Sequence, residues 1–123
     1  MYKRQDLDVA DQSLTLTPNG STNTYRACRE SASGFPNDPS GATVLSLSDD
    51  DSALVSLSGG QEVSLYGTSY SAFYVGSNGN LTFGSADTGY SASLSTHFST
   101  PRISGLFDDL NPCLLYTSPS PRD

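Results

Sequence analysis

The chain has 123 residues, with six basic side chains against thirteen acidic ones and a net charge of −7. A surface this acidic repels phosphate backbones and anionic lipid headgroups, which excludes nucleic-acid binding and argues against adsorption to membranes. No apolar run is long enough to span a bilayer.

The two ends of the chain are complementary at the level of DNA. Cys113-Leu114-Leu115-Tyr116-Thr117 back-translates as TGT CTC TTA TAC ACA, whose reverse complement encodes Tyr2-Lys3-Arg4 and begins Gln5. The string that continues to Asp123 resembles a transposase-type sequencing-library adapter read outward from an insert. On this reading residues 1–5 and 113–123 are adapter-derived. Residues 6–112 are then an internal slice of a longer protein and form one partial β-sandwich module. Within the slice Arg26, Arg29 and Arg102 face twelve acidic residues, a balance of −9. Cys28 becomes its only cysteine, expected as a small buried residue whose partner, if it has one, lies outside the slice.

Period-two alternation recurs along the slice, and helix-forming periodicity is nearly absent. Leu14 and Leu16 alternate with Ser13, Thr15 and Thr17 ahead of the Pro18-Asn19-Gly20 turn. Tyr25 and Ala27 lie in a second strand candidate at residues 22–29. Residues 34–41, with Pro36, Asn37, Asp38 and Pro39, read as a loop. The acidic triplet Asp49-Asp50-Asp51 precedes a strand at 53–58, which Gly59-Gly60 joins to another at 61–66. Because such turns need positive φ, this pair predicts a hairpin. Phe73-Tyr74-Val75 and Leu81-Thr82-Phe83 flank Gly76-Ser77-Asn78-Gly79, the strongest turn signal in the chain. A polar stretch at 85–96 leads to a last strand that begins at Pro101, and Asp108-Asp109-Leu110-Asn111-Pro112 breaks it.

Short strands with closely spaced turns predict an all-β fold, an antiparallel β-sandwich. Phe73, Tyr74, Phe83, Phe98 and Phe107 are the candidate core. The slice is expected to be incomplete on its C-terminal side, which leaves a sheet edge exposed and predicts poor solubility.

From Tyr66 onward the residues carry a resemblance. Tyr66-Gly67-Thr68-Ser69-Tyr70-Ser71-Ala72-Phe73-Tyr74-Val75-Gly76-Ser77-Asn78-Gly79 runs into Asn80-Leu81-Thr82-Phe83. His97-Phe98 follows, then Pro101-Arg102-Ile103-Ser104-Gly105-Leu106-Phe107-Asp108-Asp109-Leu110-Asn111-Pro112. This resembles a β-rich accessory module of large secreted bacterial proteins, some of which carry subtilisin-like protease domains elsewhere. It is similar, more distantly, to the extracellular nidogen-type domain. One departure from that domain is the absence of Trp at Phe107-Asp108-Asp109, where it commonly has an aromatic pair. The resemblance implies a non-catalytic role and transfers no active site.

Three kinds of chemistry are open to these residues. His97, Ser104 and Asp108 or Asp109 hold the side chains of a hydrolase triad, but no Gly-x-Ser-x-Gly elbow surrounds a serine. One histidine and one cysteine within the slice do not make a four-ligand zinc site. Hard oxygen ligands suit calcium, with Asp108, Asp109 and Asn111 the favoured set and Asp49-Asp50-Asp51 the other, although neither follows the EF-hand spacing. Tyr74, pointing opposite to Phe73 on its strand, is the candidate platform for a glycan. The expectation is a non-catalytic extracellular or cell-surface module serving structure, adhesion or recognition, in contact with other domains of its parent protein. The alternative is a carbohydrate-binding module attached to an exported hydrolase or protease.

Overall fold

The computed structural model describes residues 10–113. Residues 1–5, and all but Cys113 of the segment 113–123, lie outside the described residues, so their adapter reading has no structural counterpart. The chain divides into two compact units, residues 1–43 and 44–123. Every strand pairing is antiparallel, as the alternation predicts.

The first unit is a ribbon of β1 (Gln12–Pro18) and β2 (Tyr25–Ser31), with Leu14 opposite Arg29 and Leu16 opposite Ala27. Leu14 and Leu16 remain more than half exposed. Cys28 is exposed on β2, contrary to the expectation of burial, because a two-stranded ribbon buries little on either face.

The second unit holds β3 (Ser52–Ser56), β4 (Val63–Leu65), β5 (Thr68–Tyr70), β6 (Ala72–Gly76), β7 (Asn80–Thr82), α1 (Leu94–His97) and β8 (Arg102–Ser104). Four of its strands form one sheet in the order β3-β6-β7-β8, while β4 and β5 form a separate ribbon. The Gly59-Gly60 hairpin is therefore a correction. Both glycines have the expected positive φ, 66° and 75°. Nevertheless β3 pairs with β6, placing Val55 opposite Phe73 and Leu54 opposite Tyr74. The turn that closes a hairpin nearby is Tyr66-Gly67, with φ of 48° and 80°, and it joins β4 to β5. Positive φ is legible at Gly59-Gly60 but not at Tyr66, which reads as the end of a strand, and the choice of partner rests on aromatic and branched cross-strand pairs.

Cross-strand neighbours share a face of the sheet, which sorts its side chains into two sets. One set is Ala53, Val55, Phe73, Val75, Leu81 and Ile103, all apolar. The ring of Phe83, just past β7, lies 6.0 Å from Phe73 and 5.0 Å from Tyr70 of the β4–β5 ribbon. Phe83 and Leu65 are the buried apolar side chains among the described residues. The other face carries Tyr74, Asn80, Thr82, Arg102 and Ser104, and of these Asn80, Thr82 and Arg102 are buried. Asp87 of the loop after β7 and Phe107 of the segment after β8 lie against Arg102, and Asn80 Nδ2 donates to the Asn78 carbonyl, so buried polar side chains line this side of the sheet.

Two further expectations change. The polar stretch 85–96 leads into a single helical turn, α1, started by Ser93, whose hydroxyl accepts the Thr96 amide. Phe98 ends that turn at 77 % exposure rather than joining the core, its ring edge-on to His97.

Candidate functional site

The most heavily bonded point of the second unit is the turn between β6 and β7. An Asn-Gly turn is ordinarily a solvent-facing tip, but here Ser77, Asn78 and Asn80 are all buried. Asn78 Nδ2 donates to Asp50 Oδ1 at 2.9 Å and to the Gly89 carbonyl at 3.0 Å. Its Oδ1 accepts the Leu110 amide at 2.8 Å, and its carbonyl accepts the Asp108 amide at 3.3 Å. One side chain thus ties together the loop before β3, the loop after β7 and the segment after β8. Gly79 carries φ +80°, and a Cβ there would lie 1.7 Å from the Leu106 carbonyl oxygen. Only glycine allows so close a backbone approach. The amides of Gly105 and Leu106 both donate to the Gly79 carbonyl, which ends β8 at Ser104, short of the expected Phe107.

Asp51 locks the opposite rim. Its amide donates to Ser77 Oγ and its carbonyl accepts the Ser77 amide. Its carboxylate accepts the amides of Ser48 and Ser52. These bonds to the charged form, led by that of Ser48, hold the Asp51 carboxyl below its ordinary value.

Across this rim the two acidic stretches meet. Carboxylate oxygens of Asp49, Asp50 and Asp109 lie within 4.8 Å of one another, with Asp50 half-buried and the others exposed. Of the favoured calcium set, Asp109 is the member brought here. Asp108 Oδ1 accepts the Asp109 amide, and Asn111 Oδ1 accepts the Cys113 amide. Both acidic stretches are visible in the sequence, but nothing local to either reveals that Asn78 draws them together.

The candidate triad is half assembled. His97 Nδ1 lies 2.9 Å from Ser104 Oγ. Asp108 and Asp109 are engaged as above, and the other nearby acid, Asp87, is taken by Arg102 Nη1 at 2.8 Å. Among the described residues no carboxylate is bonded to His97, so nothing orients its ring in the way a triad requires. The Arg102 side chain is only 1 % exposed and its guanidinium lies 5.0 Å from the Phe107 ring centroid. This ion pair is not legible in the sequence, where Arg102 reads only as a strand residue.

Tyr74 is half-buried and lines an open groove of about 410 Å³ with Leu54, Ser69, Tyr70, Ser71, Ala72 and Gly84. Aromatic rings beside serine hydroxyls are chemically suited to a sugar ring, which presents apolar faces and polar edges.

Antiparallel sheets and buried polar side chains bonded to the loops define a β-rich module. The chain matches the family model described as NIDO related over residues 24–118, most of its length, and it belongs to that family. NIDO-related domains are generally non-catalytic and occur in extracellular proteins. The matched interval takes in β2 through β8 and continues past Pro112. Neither the curated proteins nor the solved structures contain a match to the chain. Among the described residues no helix is long and apolar enough to cross a membrane.

Proposed function

We propose that this chain is a recognition or adhesion module of a secreted or cell-surface protein, bacterial in origin, acting beside other domains of its parent and without catalysis of its own. Its NIDO-related membership over residues 24–118 carries the reading. The half-built His97–Ser104 pair is what most directly challenges it. A fluorophosphonate probe tests the point, because it labels a serine only where a base activates it. No labelling of Ser104 is expected, and labelling abolished by Ser104→Ala refutes the reading.

A second reading is favoured by the Tyr70–Tyr74 groove: a carbohydrate-binding module of an exported hydrolase or protease. Glycan-array binding by the whole chain that disappears in Tyr74→Ala supports it, and an array without specific binding counts against it. Calcium at the meeting of Asp49, Asp50 and Asp109 suits either reading as a structural ion that relieves repulsion between the carboxylates. Melting that rises with added calcium, and no longer does so in Asp109→Asn, is the expected result. Melting unmoved by calcium refutes the ion.

A further inference from the structure

The chain contains two Asn-Gly dipeptides, Asn19-Gly20 and Asn78-Gly79, that are equivalent as local chemistry. We propose that Asn19 is a site of spontaneous deamidation and isoaspartate formation, and that the fold shields Asn78 from the same reaction. In that reaction the following residue's backbone nitrogen attacks the asparagine Cγ. The new C–N bond closes a succinimide, the Cγ–Nδ2 bond breaks, and ammonia leaves carrying the attacking amide's proton. Water then opens the ring at either carbonyl, giving aspartate or isoaspartate. Glycine speeds the attack because no Cβ blocks the approach, and the rate then depends on how freely side chain and backbone can reach each other.

The two sites differ sharply in that freedom. Asn19 is exposed in the loop between β1 and β2, and its two side-chain bonds are exposed as well, to the Thr24 hydroxyl and from the Ser21 amide. The Gly20 amide has no hydrogen-bond partner among the described residues, and nothing lies within 4 Å of where a Gly20 Cβ would be. Water competes for both Asn19 bonds, so the ring-closing geometry is open to it. Asn78 is 4 % exposed and held by three side-chain bonds. Its would-be attacker, the Gly79 amide, donates to the Gly76 carbonyl, and the Leu106 carbonyl is packed against Gly79. Ring closure at Asn78 must wait for local opening of the segments that it ties, so its rate is scaled down by the population of that opened state.

The consequence is selective ageing. Conversion at Asn19 adds a negative charge and, as isoaspartate, an extra backbone carbon at the tip of the β1–β2 ribbon. Conversion at Asn78 would set a second carboxylate against Asp50. The test is incubation of the whole chain in mildly alkaline buffer, native and in urea, with peptide mapping by mass spectrometry and isoaspartyl-methyltransferase labelling. Native protein is expected to convert Asn19 at least about tenfold faster than Asn78, with the two rates converging in urea. Native rates within about twofold of each other overturn the proposal, as does an Asn19 that reacts only in urea. Gly20→Ala serves as a second variant and is expected to slow the Asn19 peptide alone. An unchanged Asn19 rate in that variant refutes the succinimide route.

Discussion

Asn78→Asp tests the polar hub with a change of one functional group. The replacement keeps an acceptor for the Leu110 amide but removes both donors, to Asp50 and to Gly89. Each lost bond costs about 0.5–1.5 kcal/mol net. Charge repulsion costs more, because the new carboxylate replaces a donor that stood 2.9 Å from Asp50 Oδ1. Two carboxylates that close resist ionising together, and the total loss at neutral pH is about 3–5 kcal/mol. The carboxyl that protonates first has its folded pKa raised above its unfolded value. Its folded state therefore binds more protons than the unfolded one, and the deficit shrinks as pH falls toward the ordinary carboxylate range. A shared proton also restores a donor between the two groups. Urea denaturation of both proteins, from neutral to mildly acidic pH and followed by tyrosine fluorescence, reads this directly. Asn78→Ala is the companion, with a loss of about 2–3 kcal/mol that does not change with pH. A deficit below about 1 kcal/mol for Asn78→Asp, or one that does not shrink on acidification, refutes the hub.

Three other outcomes follow from the same geometry. Asp87→Ala strands the Arg102 guanidinium at 1 % exposure and is expected to cost about 3 kcal/mol by denaturation, whereas Arg102→Met, which leaves no buried charge, costs markedly less. Equal losses from the two variants refute that asymmetry. Gly79→Ala collides with the Leu106 carbonyl and is expected to lose about 3 kcal/mol or more, or to yield no soluble protein. Gly60→Ala, with φ of +75° and open space around it, loses only about 1 kcal/mol, and equal losses from the two alanines contradict the close approach. Because the Asp51 carboxyl lies below its ordinary value in the fold, its contribution is present above that value and is lost as pH falls through the lowered one. Asp51→Asn is therefore expected to flatten the acid limb of the stability profile and to leave its neutral-to-alkaline side parallel to wild type, and an unchanged acid limb refutes this.

What was legible in the sequence was local. The strands at Leu14–Leu16, Phe73–Val75 and Leu81–Thr82 declared themselves by alternation, and Asn78-Gly79 declared its turn. Partners were harder to read. Gly59-Gly60 carries every local sign of a hairpin, yet β3 leaves it to pair with β6, because sheet pairing is decided by side chains distant in sequence. The site was legible only in pieces. Both acidic stretches, His97, Ser104 and Tyr74 were singled out, but the bonds that place them run from Asn78 to Asp50, Gly89 and Leu110, and no periodicity encodes those separations. Arg102 was missed because a lone arginine in a strand reads as exposed until its ion pair with Asp87 is seen.

The two faces of the β3-β6-β7-β8 sheet divide the labour of the second unit. An apolar face gains stability from any well-shaped neighbour and so specifies loosely which segment covers it. Asn78 and Arg102, on and beside the other face, take particular partners, Asp50, Gly89 and Leu110 for the one and Asp87 for the other, and a buried polar group left without its partner is costly. The loops at Asp49–Asp51, at Asp87–Gly89 and at Gly105–Leu110 are therefore held to single positions by directional bonds. Bonds of that kind hold Asp50 beside Asn78 and bring Asp109 to Asp49 and Asp50, on segments that hold almost no regular structure. Loops positioned by a rigid scaffold are where binding groups are usually carried. In this domain the polar interior is the means by which a small sheet makes its loops rigid enough to present a surface.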